Sequence, residues 1–516
     1  MQGNQPISSV SRYNPETRLY TADQIRAIEA QVMQPVAAGG MGIEGYTLMQ
    51  RAGQSAIDSL LQRWPSTKAI SVICGKGNNG GDGYVVARLA RQLGLSVQVL
   101  AAVDPKELVG DAKRAYTEFA AAGGELEAAD EPIKHDVIVD GLLGTGFKPP
   151  LRDPYVPIIR RINEASAAVL ALDLPSGVAA DNGAVQMIDG EPVAVRAALT
   201  VSFVGRKIGA HTGPGVAFVG EQKVVDLGVA GEFMQPPNAA SLLNWHPERI
   251  HGLSPTAYKH RRGKVLLIGG DIGMGGAVIM AAEATLRSGA GLATVIARPE
   301  HQTALLARLP EAMFVAPELQ TLQSTLDAAD FVVIGPGLGR SSWGEELFRQ
   351  ALQAKTPMLM DADALYWLER LDQQPASRSL FITPHSGEAA HLLGLATDVL
   401  ENDRINNARA LAHRFNCRVV LKGPGSIVID ETQVQICAHG GPAMASAGMG
   451  DVLSGICAGI LAPAFASGQA SAVQFAQAIA LHSASADMAA ETLGPRSVLA
   501  TDVIRHIPKL LAQADG

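Results

Sequence analysis

Positive charge and aromatic rings are both scarce in this chain of 516 residues: Lys and Arg total 42 against 50 Asp and Glu, and Phe, Trp and Tyr make up 5%. A nucleic-acid binder needs a basic footprint and stacking platforms, so no nucleic-acid partner is expected. Cysteine is rarer still. Cys74, Cys417, Cys437 and Cys457 lie far apart, with none of the close pairs used by zinc sites or redox dithiols, and are expected as core thiols. The first twenty residues hold no apolar core of signal-peptide length. Apolar runs such as the one around Ile456 are interrupted by Gly and Pro before they reach the roughly eighteen residues of a membrane span. These absences predict a soluble, cytoplasmic protein with no membrane partner. With 47% hydrophobic and 18% charged residues, the composition supplies cores and carries no mark of disorder.

Glycine is what the chain has in excess, 54 residues gathered in short loops behind apolar strands. That is the look of phosphate-binding α/β proteins. The length suggests roughly two to four domains. After a loose arm of twenty residues, a helix from Thr21 puts Ile25, Ile28 and Val32 on one face. The strand KAISVIC (68–74), the loop GKGNNGGDG (75–83), the helix YVVARLARQLG and the strand SVQVLAA then form a βαβ unit, continued by the strands DVIVD, AVLALD and ALTVSF. Periodicity fades near 235–245, where paired prolines and small residues mark a connection. Beyond it the rhythm restarts with GKVLLIGG, a helix from Gly276 to Ser288, LATVIA, DFVVIG, PMLMD and SLFIT. The strands CRVVLKG, SIVID and VQICA read as turning back on one another, before a helical end from Met449. The expected fold is α/β throughout: a Rossmann-like doubly wound sheet over 20–235, then a second α/β domain over 245–514.

In the first half, the loop Gly75–Gly83 leaves a strand and enters a helix, so its amides and the helix N-terminus could cradle a pyrophosphate. Its spacing matches neither GxGxxG nor Walker patterns; an ordinary Gly-rich turn is the alternative, but two Asn and an Asp among five glycines exceed what a turn requires. Asp140 and Asp173 stand at strand ends, where open α/β sheets place ligands. Asn79, Asp140 and Ser176 offer uncharged oxygens and one carboxylate, which suits potassium better than a divalent ion. Asp173 is the candidate acid or base, with a capping Asp as the alternative. In the second half, ASAGMGDVLSG (445–455) sets small residues before an Asp at a helix start, so amides around Met449 and Gly450 could stabilise a phosphoryl group while Asp451 faces an acceptor hydroxyl. The turn Lys422, Gly423, Pro424, Gly425, Ser426 could grip a nucleotide. Asp361, Asp363 and Glu388 could serve magnesium, directly or through water, although each alone is more often a helix cap. His385 is placed for a ligand contact and His391 for packing.

The motifs LMQRAG (48–53), GNNGGDG (77–83), DGLLGTG (140–146) and LDLPSG (172–177) resemble the NAD(P)H-hydrate epimerase domain. The resemblance implies that Asn78, Asn79, Gly80, Gly81 and Asp82, the segment Gly144, Thr145, Gly146, Phe147, Lys148, Pro149, Pro150, and Asp173 contact a hydrated nicotinamide nucleotide, NADH or NADPH hydrate. It also implies potassium on Asn79, Asp140 and Ser176. Gln50 departs from a position where that family more often has an acid. The second half, with HRRGKVLLIGG, VIGPGLG, MDADAL, TPHSGEAAHLLG and the GMGD loop, resembles the ribokinase-like ADP- or ATP-dependent NAD(P)H-hydrate dehydratases. That implies substrate contacts at Gly337, His385 and Asp451, ADP at Lys422–Ser426, Met449 and Gly450, and Mg2+. Met449 and Tyr366 depart from that family's usual residues. The pair of domains is similar to the bifunctional NAD(P)H-hydrate repair enzymes. Two large domains with low surface charge also lead us to expect a homo-oligomer. A vitamin or sugar kinase, sharing only the GxGD loop, and a nucleotide-sensing scaffold are the other function classes.

Overall fold

The computed structural model describes residues 17–514 apart from 238, 251, 253–255, 257, 318, 372–374, 376, 378, 431–432 and 471. The expected loose arm therefore falls mostly outside the described residues, and its last residues form a strand, β1 (Arg18–Tyr20). The chain divides into two compact units. One holds the chain up to Asp181 with Val193–Ile208 and Val219–Ser241; the other holds Asn182–Pro192, Gly209–Phe218 and everything from Leu242.

In the first unit, Thr21 caps α1 (Ala22–Met33) through a reciprocal box with Gln24, and Ile25, Ile28 and Val32 are buried on the expected face. Helix α2 (Gly45–Arg63) leads to β2 (Ala69–Cys74), α3 (Asn78–Gln92), β3 (Ser96–Ala101), α4 (Gly110–Ala121), β4 (Glu127–Ala128), β5 (Val137–Gly141), α5 (Tyr155–Glu164), β6 (Ala168–Leu172), β7 (Leu199–Phe203) and β8 (Glu221–Val225). Among the described residues these strands make a seven-stranded sheet in the order β8-β7-β6-β5-β2-β3-β4, with every pair parallel. Helices cover both faces, which is why strands such as AISVIC read as continuous apolar runs. The chain winds outward from β2 to β4 and then resumes at β5 on the other side of β2. Ligands of such sheets bind where the order reverses, so the loops leaving β2 and β5 mark the crevice.

Here the structure corrects one expectation. The loop predicted over 75–83 is short, because α3 already begins at Asn78. The glycines serve contact between the first helical turns and the sheet. A Cβ on Gly80 would stand 2.0 Å from the Gly75 carbonyl oxygen, and one on Gly83 would stand 2.8 Å from Cys74 Sγ.

The second unit contains β9 (Lys264–Ile268), α6 (Gly275–Arg287), β10 (Leu292–Ile296), β11 (Met313–Val315), β12 (Phe331–Ile334), β13 (Met358–Met360), α7 (Asp363–Leu368), β14 (Leu380–Ile382), α8 (Ser386–Leu393), α9 (Arg404–Phe415), β15 (Arg418–Leu421), β16 (Ile427–Asp430), β17 (Gln433–Cys437), α10 (Met449–Ala466), α11 (Ala472–Leu493) and α12 (Ala500–Leu511). Its strands run β17-β16-β15-β14-β13-β12-β9-β10-β11. Pairing is parallel up to β15 and antiparallel through β16 and β17, as the closely spaced strands predicted.

The Gly and Pro residues around Ile456 do not break the apolar run. Helix α10 is continuous, long and apolar enough by length and composition to cross a membrane, yet mostly buried inside the unit. Pro463 sits in its last turns. Gly455 and Gly459 let it close on α6, since Cβ atoms there would lie 2.2 Å from the Ala281 oxygen and 2.5 Å from the Thr285 oxygen. The four cysteines are free thiols, three buried and Cys417 partly so.

Candidate active sites

The first site lies at the β2/β5 reversal. Asp140, at the end of β5, is fully buried; Oδ1 accepts from Ser176 Oγ at 2.6 Å and from the Leu142 amide at 3.1 Å, and Oδ2 accepts from the Ser176 amide at 2.8 Å. Burial pushes its carboxyl up to about 6. Asn79, in the first turn of α3, donates through Nδ2 to the Leu143 carbonyl at 2.8 Å, while its Oδ1 is buried without a donor. An amide oxygen sealed away without a partner, in the same crevice as a buried carboxylate that has hydrogen-bond donors but no cationic neighbour among the described residues, fits a cation ligand set. Two neutral oxygens and one carboxylate suit a weakly hydrated monovalent ion, so these residues fit potassium. The segment Gly144–Pro150 continues from the same strand end, with its turn closed by the Phe147 amide on the Gly144 carbonyl at 2.9 Å.

Asp173 directly follows β6 with φ +64°, a left-handed conformation uncommon outside glycine. Its Oδ1 accepts from the Phe203 amide at 3.1 Å and from the Lys207 ammonium, which also donates to the Phe203 carbonyl at 2.6 Å. Lys207 is wholly buried. Two more acids face the pair. Burial, then the charge of Asp173, pushes Asp82 well above the carboxylate range and raises Glu29. Neither Lys207 nor Glu29 was legible as a site residue. Lys207 stands 34 positions from Asp173, and its one sequence signal is a cation in the Gly-rich stretch after β7.

In the second unit, the expected residues gather around an ion pair between the buried Asp361 and the half-buried Lys422. Lys422 Nζ lies 2.8 Å from Asp361 Oδ1 and 3.8 Å from Glu388 Oε2, and Ser454 Oγ donates to Asp361 Oδ2 at 2.9 Å. Although burial raises the Asp361 carboxyl, the Lys422 charge prevails and holds it below the usual range; the same acids keep the Lys422 ammonium above its own, against desolvation. Asp451, in the first turn of α10, is pushed up to about 7 by burial and then by Asp361, with Lys422 opposing. Gly450 lies over this pair; a Cβ there would be 3.3 Å from Lys422 Nζ. The helix is entered through Gly448 at φ +88°, so the amides of its first turn are free of intrahelical acceptors. Gly337 has φ +61°, and a Cβ on it would lie 2.6 Å from the Met274 oxygen.

Other expected residues are placed differently. His385 is the exposed N-cap of α8, and its Nδ1 accepts from the Gly387 amide at 3.0 Å. His391 was expected in packing but is exposed, its ring stacked with Tyr366 at a centroid separation of 6.3 Å. Its Nε2 also lies 3.4 Å from Glu369 Oε2. Tyr366 is itself flanked by the guanidinium groups of Arg340 and Arg370, 4.3 and 3.6 Å from its ring centre. Asp363 accepts from the Gly339 amide at 3.0 Å and from Arg340 at 3.2 Å. Among the described residues no three of His, Cys, Asp or Glu are grouped to hold a metal ion. Asp361, Asp363 and Glu388 thus form no cage of their own. They fit Mg2+ only as partners of a bound polyphosphate or through water. Sequence reading also missed Arg404, a fully buried guanidinium on α9 that donates to the carbonyls of Leu421 and Lys422 at 3.4 and 3.2 Å and so holds the start of the KGPGS turn.

Residues 45–209 match the family described as YjeF-related protein N-terminus, and residues 265–509 match NAD(P)H-hydrate dehydratase. The chain is 42% identical over 505 residues to the bifunctional NAD(P)H-hydrate repair enzyme Nnr of Coxiella burnetii, covering 96% of this chain and 99% of that one. It is 38% identical over 506 residues to the Escherichia coli protein of the same name, covering 96% and 94%. A solved ribokinase-like superfamily protein from Enterococcus faecalis covers 52% of this chain and 93% of its own, with 31% identity and a TM-score of 0.48.

Proposed function

The chain belongs to the family of bifunctional NAD(P)H-hydrate repair enzymes and is an enzyme with an epimerase half and a dehydratase half; we propose that Asp173 and Asp451 carry the proton transfers of its two steps. In hydrated NADH or NADPH the ring carbon bearing the added hydroxyl is bonded to the ring nitrogen, so its configuration can be scrambled once a proton is moved at that hydroxyl. Asp173 makes that transfer in the first unit. The α3 start at Asn78–Asp82 and the Gly144–Pro150 segment hold the nucleotide, the helix N-terminus facing its phosphates. Asn79, Asp140 and Ser176 would hold potassium. When bound, it neutralises Asp140 and adds positive charge beside that helix start.

In the second unit ADP phosphorylates the hydroxyl of the S epimer, and Asp451 takes the hydroxyl proton. The amides at Met449 and Gly450 stabilise the transferring group, Lys422–Ser426 hold ADP, and Gly337 and His385 contact the hydrated ring. The C–O bond then breaks with phosphate as leaving group, driven by the ring nitrogen, so hydrated cofactor and ADP become reduced cofactor, AMP and phosphate. Asp361, Asp363 and Glu388 would hold Mg2+ together with the bound polyphosphate or through water, and the ion would supply charge to offset that of the nucleotide. The observation that carries the dehydratase assignment is the place of Asp451: in the first turn of a helix beside the Asp361–Lys422 ion pair, with its carboxyl pushed up to about 7, it can accept a proton near neutral pH. A cytoplasmic location and a homo-oligomer belong to the same reading; light scattering of the purified chain tests the latter.

Supplying an R/S mixture of NADH hydrate with ADP tests both halves. NADH, AMP and phosphate should appear in equal amounts until both epimers are gone. A stable phosphorylated product would make this a kinase, and binding without turnover would make it a sensor.

A further inference from the structure

The wholly buried Lys207 takes no part in the steps above, and its cost needs a reason. Removing an ammonium from water is costly even when it is paired, and an apolar residue of similar size often serves stability as well. This ammonium faces the crevice acids: Asp173 beyond β6, Asp82 on α3, and Glu29 on α1, the last also reached by the exposed Arg26. Every other anchor of Asp173 is visible. Its amide donates to the Val201 carbonyl at 2.8 Å, its carbonyl accepts from Ser202 Oγ at 2.8 Å, and its Oδ1 accepts from the Phe203 amide at 3.1 Å. Lys207 completes this set by bridging Oδ1 to the Phe203 carbonyl. Oδ2 has no hydrogen-bond donor among the described residues.

We propose that Lys207 is a positioning residue for epimerisation: by occupying Oδ1 and tying it to β7, it aims Oδ2 of Asp173 at the substrate hydroxyl. Among the described residues Asp82 and Glu29 have no such tether, so the ammonium selects Asp173 among the three acids as the group that works on the ring. The inference rests on Asp173 being the base of the epimerase half.

Three variants of the full-length chain test it. In Lys207→Met, kcat for epimerisation should fall by about a hundredfold with KM for NADH hydrate little changed, because a misaimed base slows chemistry without weakening binding. Lys207→Arg, which can still donate to Oδ1, should recover part of that loss. Unchanged kcat in Lys207→Met, or a loss confined to KM, overturns the proposal. Should Lys207→Met not fold, the complex of Asp173→Asn with NADH hydrate decides. The substrate hydroxyl should meet the side-chain atom turned away from Lys207, and a hydroxyl bonded to the Lys207 ammonium or to the tethered atom overturns it. If Asp173→Asn epimerises at the parent rate, the assignment of the base itself falls, which is a different result from an active Lys207→Met in an enzyme that Asp173→Asn inactivates.

Discussion

At the level of single residues, the second site is decided by how one lysine divides its charge among three acids. Lys422 contacts Asp361 and holds that carboxyl ionised, whereas Asp451 feels the same lysine less than it feels burial and the negative charge of Asp361. Two groups of one chemical type therefore titrate far apart, which is how a site keeps a fixed counter-charge and a working base together. Asp451→Asn keeps size and most hydrogen bonding but cannot take the hydroxyl proton. Dehydration should fall about a hundredfold or more, with ADP affinity and epimerisation retained. A near-parent rate in that variant would reduce Asp451 to a helix-capping residue. The pH profile gives an independent check. The working form is the ionised one, so kcat/KM for dehydration should decline as pH falls below about 7, approaching about tenfold per pH unit well below it. In Asp451→Asn that limb should vanish from the residual activity.

At the level of elements, glycines in two helices set how closely main chains approach. Gly80 in α3 and Gly455 in α10 leave no room for a methyl group, with backbone oxygens 2.0 and 2.2 Å from where it would stand. For Gly455→Ala two effects compete. Alanine favours a helix interior over glycine by about 1 kcal/mol, while forcing atoms into a filled interface costs about 1–3 kcal/mol. The clash is with backbone of α6, which cannot rotate aside, so net destabilisation is expected, read as a lower melting temperature of the dehydratase half. Gly80→Ala should instead lift α3 from β2 and impair epimerisation, since the same helix turn carries Asn79 and Asp82. A Gly80→Ala enzyme with unaltered epimerase activity would show that the close approach does not position the site.

For the molecule as a whole, the two chemistries draw on separate residues, so their defects should separate. Asp140→Ala removes the one carboxylate of the proposed potassium site; potassium should then no longer raise the melting temperature of the epimerase half, and epimerisation should fall while dehydration of pure S epimer is unchanged. Equal losses in both reactions would point to general misfolding. Potassium at about a hundred times its Kd should stabilise the parent by about 2.7 kcal/mol, and the variant not at all. Division of the chain has a further consequence. The second unit includes Gly209–Phe218, whose Gly213 amide donates to the Pro424 carbonyl at 3.1 Å inside the KGPGS turn. A fragment beginning near residue 245 lacks that support and should bind ADP more weakly than the full chain, by calorimetry; equal affinity would mean that the turn holds its shape alone.

Much of this was readable in one dimension, because it depends on neighbours in sequence. Apolar runs closed by Gly-rich turns specify parallel strands and the loops at their ends, and a burst of closely spaced strands specifies the antiparallel edge from β15 to β17. Motifs at strand ends pointed to Asp140, Asp173 and Asp361, since an open α/β sheet carries its ligands there, while a tight Gly-Pro turn and a small-residue helix start pointed to Lys422 and Asp451. What needed tertiary structure was every property set by partners distant along the chain. The helical start at Asn78 follows from how closely α3 can lie on β2, and a local pattern of Asn and Gly reads only as a turn. The unbroken course of α10 through Gly455, Gly459 and Pro463 depends on the helix packed against it. Lys207 and Glu29 join Asp173 from 34 and 144 positions away, Lys422 meets Asp361 across 61, and the division of charge among the acids comes from that burial and proximity, which a linear pattern does not encode.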